Sequence, residues 1–332
     1  MRRWLSRAGG RGLSKAVALP AFFLVVLAGY AGYRAPPAPQ DRNSESLRIS
    51  VDVDLVVLHA TVSDRHGGFV SDLGEKDFEV DEDGVPQSIR LFRNEDVPVT
   101  AGLIVDHSTS MAQRMPEVTA AAQAFVRSSN RDDQMFVVNF NEKVYLGLPA
   151  AIRFTDSTAE LRDAIAATPI RGMTALYDAI AKGLEELQAG SRDKKVLIVV
   201  SDGGDNASAH SLAQVMKLAG QSNAVVYTVG IFQAEDKERN LGVLKDLAQA
   251  TGGEAFLPEE LPEVTAICER IARDIRHQYT IGYVPNNPTH DGVYHAIRVL
   301  ARAEGHHGRL SVRTRTGYIA SGEPRRDEKN AP

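Results

Sequence analysis

Apolar and polar residues follow two alternating patterns in the central part of the chain, from Pro98 to about His277. Short apolar runs of strand length are separated by longer stretches in which apolar residues recur at helical spacing. The clearest runs are Ala101–Val105, Gln134–Phe140, Lys194–Val200 and Ala224–Ile231. Strands that alternate with helices are typical of a parallel sheet covered on both faces. The pattern therefore predicts an α/β domain with a doubly wound, mostly parallel sheet over residues 97–277.

Shorter strand patterns, separated by turn signals such as Asp81–Gly84, flank this region on both sides. The predicted strands are one beginning near Val51, then Phe69–Leu73, Phe78–Val80 and Ser88–Phe92, and later Gln278–Val284, Tyr294–Ala301 and Leu310–Thr314. A small set of strands is only marginally stable by itself in water. The two ends of a domain usually lie close together at its surface. We therefore predict that an N-terminal β segment, 47–96, pairs with a C-terminal β segment, 278–320, as one small β module.

The N-terminal residues have the composition of a targeting segment. Five basic residues and no acidic ones lie in residues 1–15, and the 14-residue apolar run Ala16–Gly29 follows them. That run suits the core of a signal peptide and is short for a membrane span. We predict a signal peptide or membrane anchor over 1–33, a Pro-rich linker over 34–46 and a disordered tail over 321–332. The remainder would then be exported, to the periplasm, the cell surface or the medium.

Composition narrows the range of functions. The hydrophobic content of 43% and the charged content of 24% are ordinary for a soluble globular protein. The formal net charge is −5, although the first 15 residues are purely basic, so the body of the protein is acidic and poorly suited to nucleic-acid binding. Cys268 is the only cysteine, which excludes an intramolecular disulfide and a cysteine-based metal or redox motif. Its apolar helical neighbours predict a buried thiol.

Oxygen-bearing side chains cluster where predicted strands and loops end. Asp106, Ser108 and Ser110 follow the first buried strand, and Asp202 follows the strand Lys194–Val200. Thr174 lies in a loop directly before another predicted helix. Hard oxygen ligands of this kind suit Mg²⁺ or Mn²⁺ better than zinc. The alternative interpretation is that each hydroxyl or carboxylate merely caps a helix N-terminus.

The order and setting of these three stretches resemble those of the von Willebrand factor A family, whose metal-ion-dependent adhesion site (MIDAS) uses three such loops. All five positions match. The resemblance implies a doubly wound α/β fold with the ion at the carboxyl ends of the strands. It also implies that Ser108 and Ser110 bind the ion directly, that Thr174 binds directly or through water, and that Asp106 and Asp202 supply charge, partly through water. The remaining coordination position would accept a carboxylate from a partner.

The flanking segments resemble a narrower group of exported bacterial proteins that contain a "VWFA-related" domain. The matching stretches are Val53–Val62, Lys76–Gly84, Tyr279–Tyr283 and Arg315–Tyr318. This second resemblance implies an exported bacterial protein.

The leading functional hypothesis is a non-enzymatic, metal-dependent protein-binding or adhesion module that captures a partner's acidic side chain outside a bacterial-type cell. Contact with a membrane is expected only through the possible N-terminal anchor. A second hypothesis is a hydrolase that uses the ion as a Lewis acid, for which His107 and Asp205 are the candidate bases. His107 is a poor partner for Ser108, because neighbouring residues of a strand point to opposite faces. A third is an envelope assembly scaffold that does not require the ion.

Overall fold

The computed structural model describes residues 55–232, 240–286, 292–302 and 310–320. The predicted leader, 1–33, the predicted linker, 34–46, and the predicted tail, 321–332, all lie outside the described residues. Within the described ranges, no helix is long and apolar enough to cross a membrane.

Strands and helices alternate through the middle of the chain, and strands alone occupy both ends of the described part. The strands are β1 (Val56–Ser63), β2 (Phe78–Glu82), β3 (Val85–Gln87), β4 (Ile89–Arg93), β5 (Val99–Asp106), β6 (Gln134–Phe140), β7 (Val144–Leu146), β8 (Lys194–Ser201), β9 (Ala224–Gly230), β10 (Ala255–Phe256), β11 (Tyr279–Tyr283), β12 (Tyr294–Ala301), β13 (Ser311–Arg313) and β14 (Gly317–Ile319). The α-helices are α1 (Met115–Ser128), α2 (Thr158–Ala166), α3 (Leu176–Gln188), α4 (Leu212–Gln221), α5 (Leu241–Thr251) and α6 (Glu263–Arg276).

A six-stranded sheet in the order β10-β9-β8-β5-β6-β7 forms the centre of the α/β domain. Its strands are parallel except for β7, which runs antiparallel on the edge. All eight residues of β5 are buried, as expected for a central strand of a covered parallel sheet. The helices form two groups, with α1 against α2 and α6, and α3 and α5 both against α4. The predicted fold class, a doubly wound, mostly parallel α/β sheet, is therefore confirmed.

Helix α3 approaches the sheet very closely at Gly183. A Cβ added at this position would lie 2.6 Å from Cδ1 of Ile104 on β5, so only glycine fits without displacing its neighbours. The close approach fixes α3, and the loop that precedes it, beside the carboxyl end of β5. This positioning matters because Thr174 lies in that loop.

Two four-stranded antiparallel sheets form a small β module beside the α/β domain. Their strand orders are β13-β1-β11-β4 and β14-β12-β2-β3. Strand β1 pairs with β11 from Val56↔Tyr283 to Ala60↔Tyr279, and β2 pairs with β12. Each sheet thus combines strands from before and after the α/β domain, and buried side chains such as Leu58 and Ile281 form a core of their own.

The strand predicted at Phe69–Leu73 is wrong. Only Phe69 forms a β-bridge, to Ser63, and the residues after it have irregular backbone. The hydroxyl of Tyr279 makes two hydrogen bonds to the backbone of this segment. It donates to the carbonyl of Val70 at 2.9 Å and accepts from the amide of Leu73 at 3.1 Å. Val70 and Leu73 still pack into the module core, which explains the apolar pattern.

The module and the α/β domain meet at the buried carboxylate of Asp274 in α6, which is 1% exposed. It accepts a hydrogen bond from Oγ1 of Thr61 in β1 at 2.7 Å and one from the hydroxyl of Tyr227 in β9 at 2.9 Å. It also pairs with the guanidinium of Arg313 in β13. One side chain therefore joins three strands of two different sheets.

Candidate metal centre

Asp106 is the last residue of β5 and is fully buried. Its Oδ1 accepts a hydrogen bond from the amide of Ser108 at 2.8 Å, and its Oδ2 accepts one from Oγ of Ser201 at 2.7 Å. Burial raises the pKa of this carboxyl to about 6, although the hydrogen bonds from Ser108 and Ser201 favour its ionised form. Asp106 is thus held rigidly, in a position where its negative charge is costly unless a cation is near.

The two serines and Asp202 continue from Asp106 as a chain of contacts. Oγ of Ser108 lies 3.0 Å from Oγ of Ser110, which in turn donates to Oδ2 of Asp202 at 2.7 Å. The amide of Gly204 donates to the other carboxylate oxygen of Asp202 at 3.0 Å. These residues meet because β5 and β8 are parallel neighbours, so that their carboxyl ends lie side by side. Four of the five predicted site residues are therefore together.

Thr174, the fifth residue, lies on the adjoining loop and forms no hydrogen bond with the other four. Its amide donates to Oδ1 of Asn206 at 2.8 Å, and its carbonyl accepts from the amides of Asn206 and Ala207 at 3.0 and 3.1 Å. The same loop is tied to the first stretch, because the amide and Oγ1 of Thr109 both approach the carbonyl of Gly172, at 3.3 and 3.2 Å. The Thr174 hydroxyl has no hydrogen-bond partner among the described residues.

The helix-cap interpretation is wrong for these positions. Ser108 makes no capping hydrogen bond; it precedes a single 3₁₀ turn, and α1 begins only at Met115. Ala175, not Thr174, is the N-cap residue of α3. Elsewhere Ser157 and Ser211 do cap helices through their side chains. The hydroxyls of the candidate centre therefore do not cap helices, which is the usual role of such residues near a helix N-terminus.

The charge of the site is unbalanced. Asp106 and Asp202 are both buried, and neither forms an ion pair with a lysine or arginine in the part of the chain that the structure describes. Buried carboxylates are normally paired or coordinate a metal. The donors gathered here are carboxylate and hydroxyl oxygens, with no sulfur or imidazole. This donor set fits a small, hard divalent cation such as Mg²⁺ or Mn²⁺.

Neither candidate base for the hydrolase hypothesis is directed at the serines. The ring nitrogens of His107 face backbone carbonyls, with Nδ1 3.1 Å from Val105 O and Nε2 2.8 Å from Ile165 O, and burial lowers the pKa of this histidine. Oδ1 of Asp205 accepts hydrogen bonds from the amide of Tyr177 and the hydroxyl of Ser208, at 3.1 and 2.5 Å. Both side chains therefore have structural contacts of their own.

Ser201 and Asn206 are the site residues that sequence reasoning missed. Ser201 orients Asp106, and Asn206 fixes the loop of Thr174. A serine as the last residue of a buried strand, directly before Asp202, is the only sequence signal for the first of them. The contacts of Asn206 cross 32 residues of sequence and leave no local pattern.

Replacing Ser201 with alanine is expected to weaken Mg²⁺ binding by roughly 10-fold, because residues that orient a ligand typically contribute about 10–100-fold to metal affinity. Isothermal titration calorimetry measures the change. Ser191→Ala, which removes an exposed hydroxyl just before the same strand, is the matched control and should bind Mg²⁺ as the unmodified protein does. Equal affinities in both variants would show that the Ser201 contact does not orient Asp106 for a metal.

The fold and the site together define a class of protein: a doubly wound α/β domain whose carboxyl strand ends carry an oxygen-donor cluster. The family model for the von Willebrand factor type A domain matches residues 102–268, and the chain belongs to that family. Domains of this family generally mediate protein–protein interaction or adhesion, and they often bind a divalent metal at the MIDAS. A search of curated protein sequences returns no significant match.

Several solved structures are similar to the chain. A von Willebrand factor type A protein from Catenulispora acidiphila is 12% identical, with 81% of this chain and 74% of that one covered and a TM-score of 0.49. The vWF domain of the type V pili tip protein Mfa5 from Porphyromonas gingivalis is 16% identical, with 54% and 95% covered and a TM-score of 0.46. Proximal thread matrix protein 1 from the mussel byssus, with a zinc-occupied MIDAS motif, is 17% identical, with 54% and 48% covered and a TM-score of 0.43.

Proposed function

We propose that the protein is an exported, metal-dependent binding or adhesion module that captures an acidic side chain of a protein partner. The observation that carries the proposal is the contact chain from Asp106 through Ser108 and Ser110 to Asp202, formed by buried carboxylates that no described cation neutralises. The family's general role in protein interaction supports the choice of a protein partner.

Each residue has a distinct part in this proposal. Ser108 and Ser110 would hold a Mg²⁺ or Mn²⁺ ion through their hydroxyls, and Thr174 would contribute directly or through water. Asp106 and Asp202 would supply the negative charge. Ser201 would orient Asp106, and Asn206 would hold the loop of Thr174 in place. Because the two carboxylates would act partly through water, the bound ion would remain able to attract one more carboxylate from a partner.

Apolar side chains beside the site support a protein partner. Ile170 and Met173, in the same loop as Thr174, are 39% and 53% exposed. A partner whose acidic residue is flanked by apolar side chains would cover both. No enzymatic role is part of this proposal, since the two candidate bases are held by contacts elsewhere.

Capture of a partner from the cell envelope is expected to require the ion. A pull-down with this protein as bait should recover the partner in Mg²⁺, lose it in EDTA and recover it again when Mg²⁺ is restored. Ser110→Ala should lose the same partner, whereas Ser88→Ala, at an exposed position of the β module, should keep it. A partner retained in EDTA and by Ser110→Ala would favour the scaffold hypothesis and contradict ours. Cell fractionation tests export separately, because a purely cytosolic pool would contradict it.

A further inference from the structure

A cavity of about 610 Å³ lies between the β module and the α/β domain. It is bordered by the face of the β1-β11-β4 sheet that lies opposite the module core and by the segment that leads into β8. Strand alternation places Val57 and His59 on this face, while Leu58 and Ala60 pack inward. Lys194 is the first residue of β8 and Asp202 follows its last, so the cavity and the candidate metal centre lie at opposite ends of the sheet.

Two buried polar side chains on the cavity wall have unused hydrogen-bonding capacity. Lys194 is 3% exposed, and its ammonium, which carries three donors, meets only the carbonyl of Ile275 among the described residues. His59 is 7% exposed; its Nδ1 lies 3.4 Å from Oγ1 of Thr280, and its Nε2 has no partner in the described part of the chain. Both side chains can therefore make further hydrogen bonds to a ligand in the cavity.

Basic side chains outnumber acidic ones in the cavity lining. Lys194 and the exposed Arg93 contribute cationic groups, and Arg93 forms no ion pair with a described residue. Burial lowers the pKa of Lys194 to about 8, and the carboxylates of Asp274, Asp96 and Asp133, which are not part of the cavity lining, oppose this shift. Lys194 is therefore still charged at pH 7. Burial, followed by the charges of Lys194 and Arg315, lowers the pKa of His59 to about 3 and keeps that ring neutral. Asp193 is the only acidic residue among the described residues that line the cavity.

We propose that this cavity binds a small organic anion with one carboxylate and a short apolar body. The carboxylate would lie between Lys194 and Arg93, where it would also accept a hydrogen bond from the Nε2–H of His59. The apolar body would pack against Leu55, Val57 and Leu91, which line the same cavity. The volume is in the range of small-molecule sites, about 300–1,000 Å³. Such a ligand would bridge the two parts of the protein.

Octanoate is a suitable probe, and calorimetry is expected to detect its binding to the protein. Lys194→Met should weaken octanoate binding at least about tenfold, as expected when a hydrogen bond to a charged group is lost. Arg93→Gln should weaken it as well and is the safer variant, because Arg93 is exposed and its replacement leaves the core intact. Lys245→Met, which removes an exposed positive charge on α5, is the matched control and should not change the affinity.

Three further measurements make the test specific. Octylammonium, with the same chain and the opposite charge, should not bind, and octanoate should shift the ring resonances of His59. Asp106→Ala should bind octanoate normally, since the proposal is independent of the metal centre. Absence of octanoate binding would overturn it and leave a cavity filled by water alone. Equal binding of octylammonium, or an unchanged affinity in both Lys194→Met and Arg93→Gln, would overturn it too.

Discussion

Asp106→Ala is expected to abolish Mg²⁺ and Mn²⁺ binding. Asp106 is fully buried at the end of β5 and begins the contact chain to Ser108, Ser110 and Asp202. Its loss halves the number of carboxylates at the centre, and the affinity of oxygen-ligand sites depends strongly on the number of charged ligands. We expect a loss of more than about 100-fold, beyond the roughly 10–100-fold typical of residues that only orient a ligand. Isothermal titration calorimetry measures the affinity.

The control must separate loss of the site from loss of the fold. In EDTA, Asp106→Ala should keep the circular dichroism spectrum and the cooperative thermal transition of the unmodified protein, because the ion-free site gains little from a desolvated carboxylate. Asp246→Ala, at an exposed position on α5, removes an equal charge far from the site and should bind Mg²⁺ normally. Undiminished binding by Asp106→Ala would mean that the metal assignment is wrong.

Asp274→Ala is expected to lower the free energy of unfolding by about 3–5 kcal/mol, the cost typical of removing one partner of a buried ion pair. Asp274 is 1% exposed and is the shared acceptor for Thr61 and Tyr227, so its loss removes the acceptor of two buried hydroxyl donors. It also leaves the guanidinium of Arg313 with only the more distant carboxylate of Glu254, at 3.6 Å. Urea unfolding monitored by circular dichroism measures the change.

The matched control for this variant is again Asp246→Ala, since an exposed substitution of this kind usually changes stability by less than about 0.5 kcal/mol. A conservative variant, Asp274→Asn, keeps the shape of the side chain and should recover part of the loss. A cost below about 1 kcal/mol for Asp274→Ala would show that the carboxylate contributes little to joining the β module and the α/β domain.

The fold class was predictable because its signal is local. Continuous apolar runs such as Lys194–Val200 indicate buried strands, and the helices between them show regular apolar spacing. The burial of Cys268 was predictable for the same reason, because its neighbours on the helix are apolar. Its side chain is 3% exposed, and burial raises the pKa of its thiol to about 12. The residues at the strand ends predicted the family, and the family model confirms that prediction.

Features that depend on distant contacts were not predictable. Strands β3 and β14 are three residues long and partly exposed, so they lack an apolar pattern. The segment at Phe69–Leu73 has the pattern of a strand, but a tyrosine hydroxyl more than 200 residues away satisfies part of its backbone. The role of Asp274 is equally hidden, because a lone aspartate in a helix usually faces solvent. In the candidate metal centre, Ser201 and Asn206 act only through residues that are distant in sequence.

The adjacent entry and exit of the α/β domain have a mechanical consequence. The domain begins just after β4 and ends just before β11, and these two strands are paired, with Arg93 opposite Thr280. Tension applied between the two ends of the described chain is therefore carried by the β module, whose strands must shear apart first. The candidate metal centre lies outside this load path, so it can keep its geometry while the protein is stretched between two attachments.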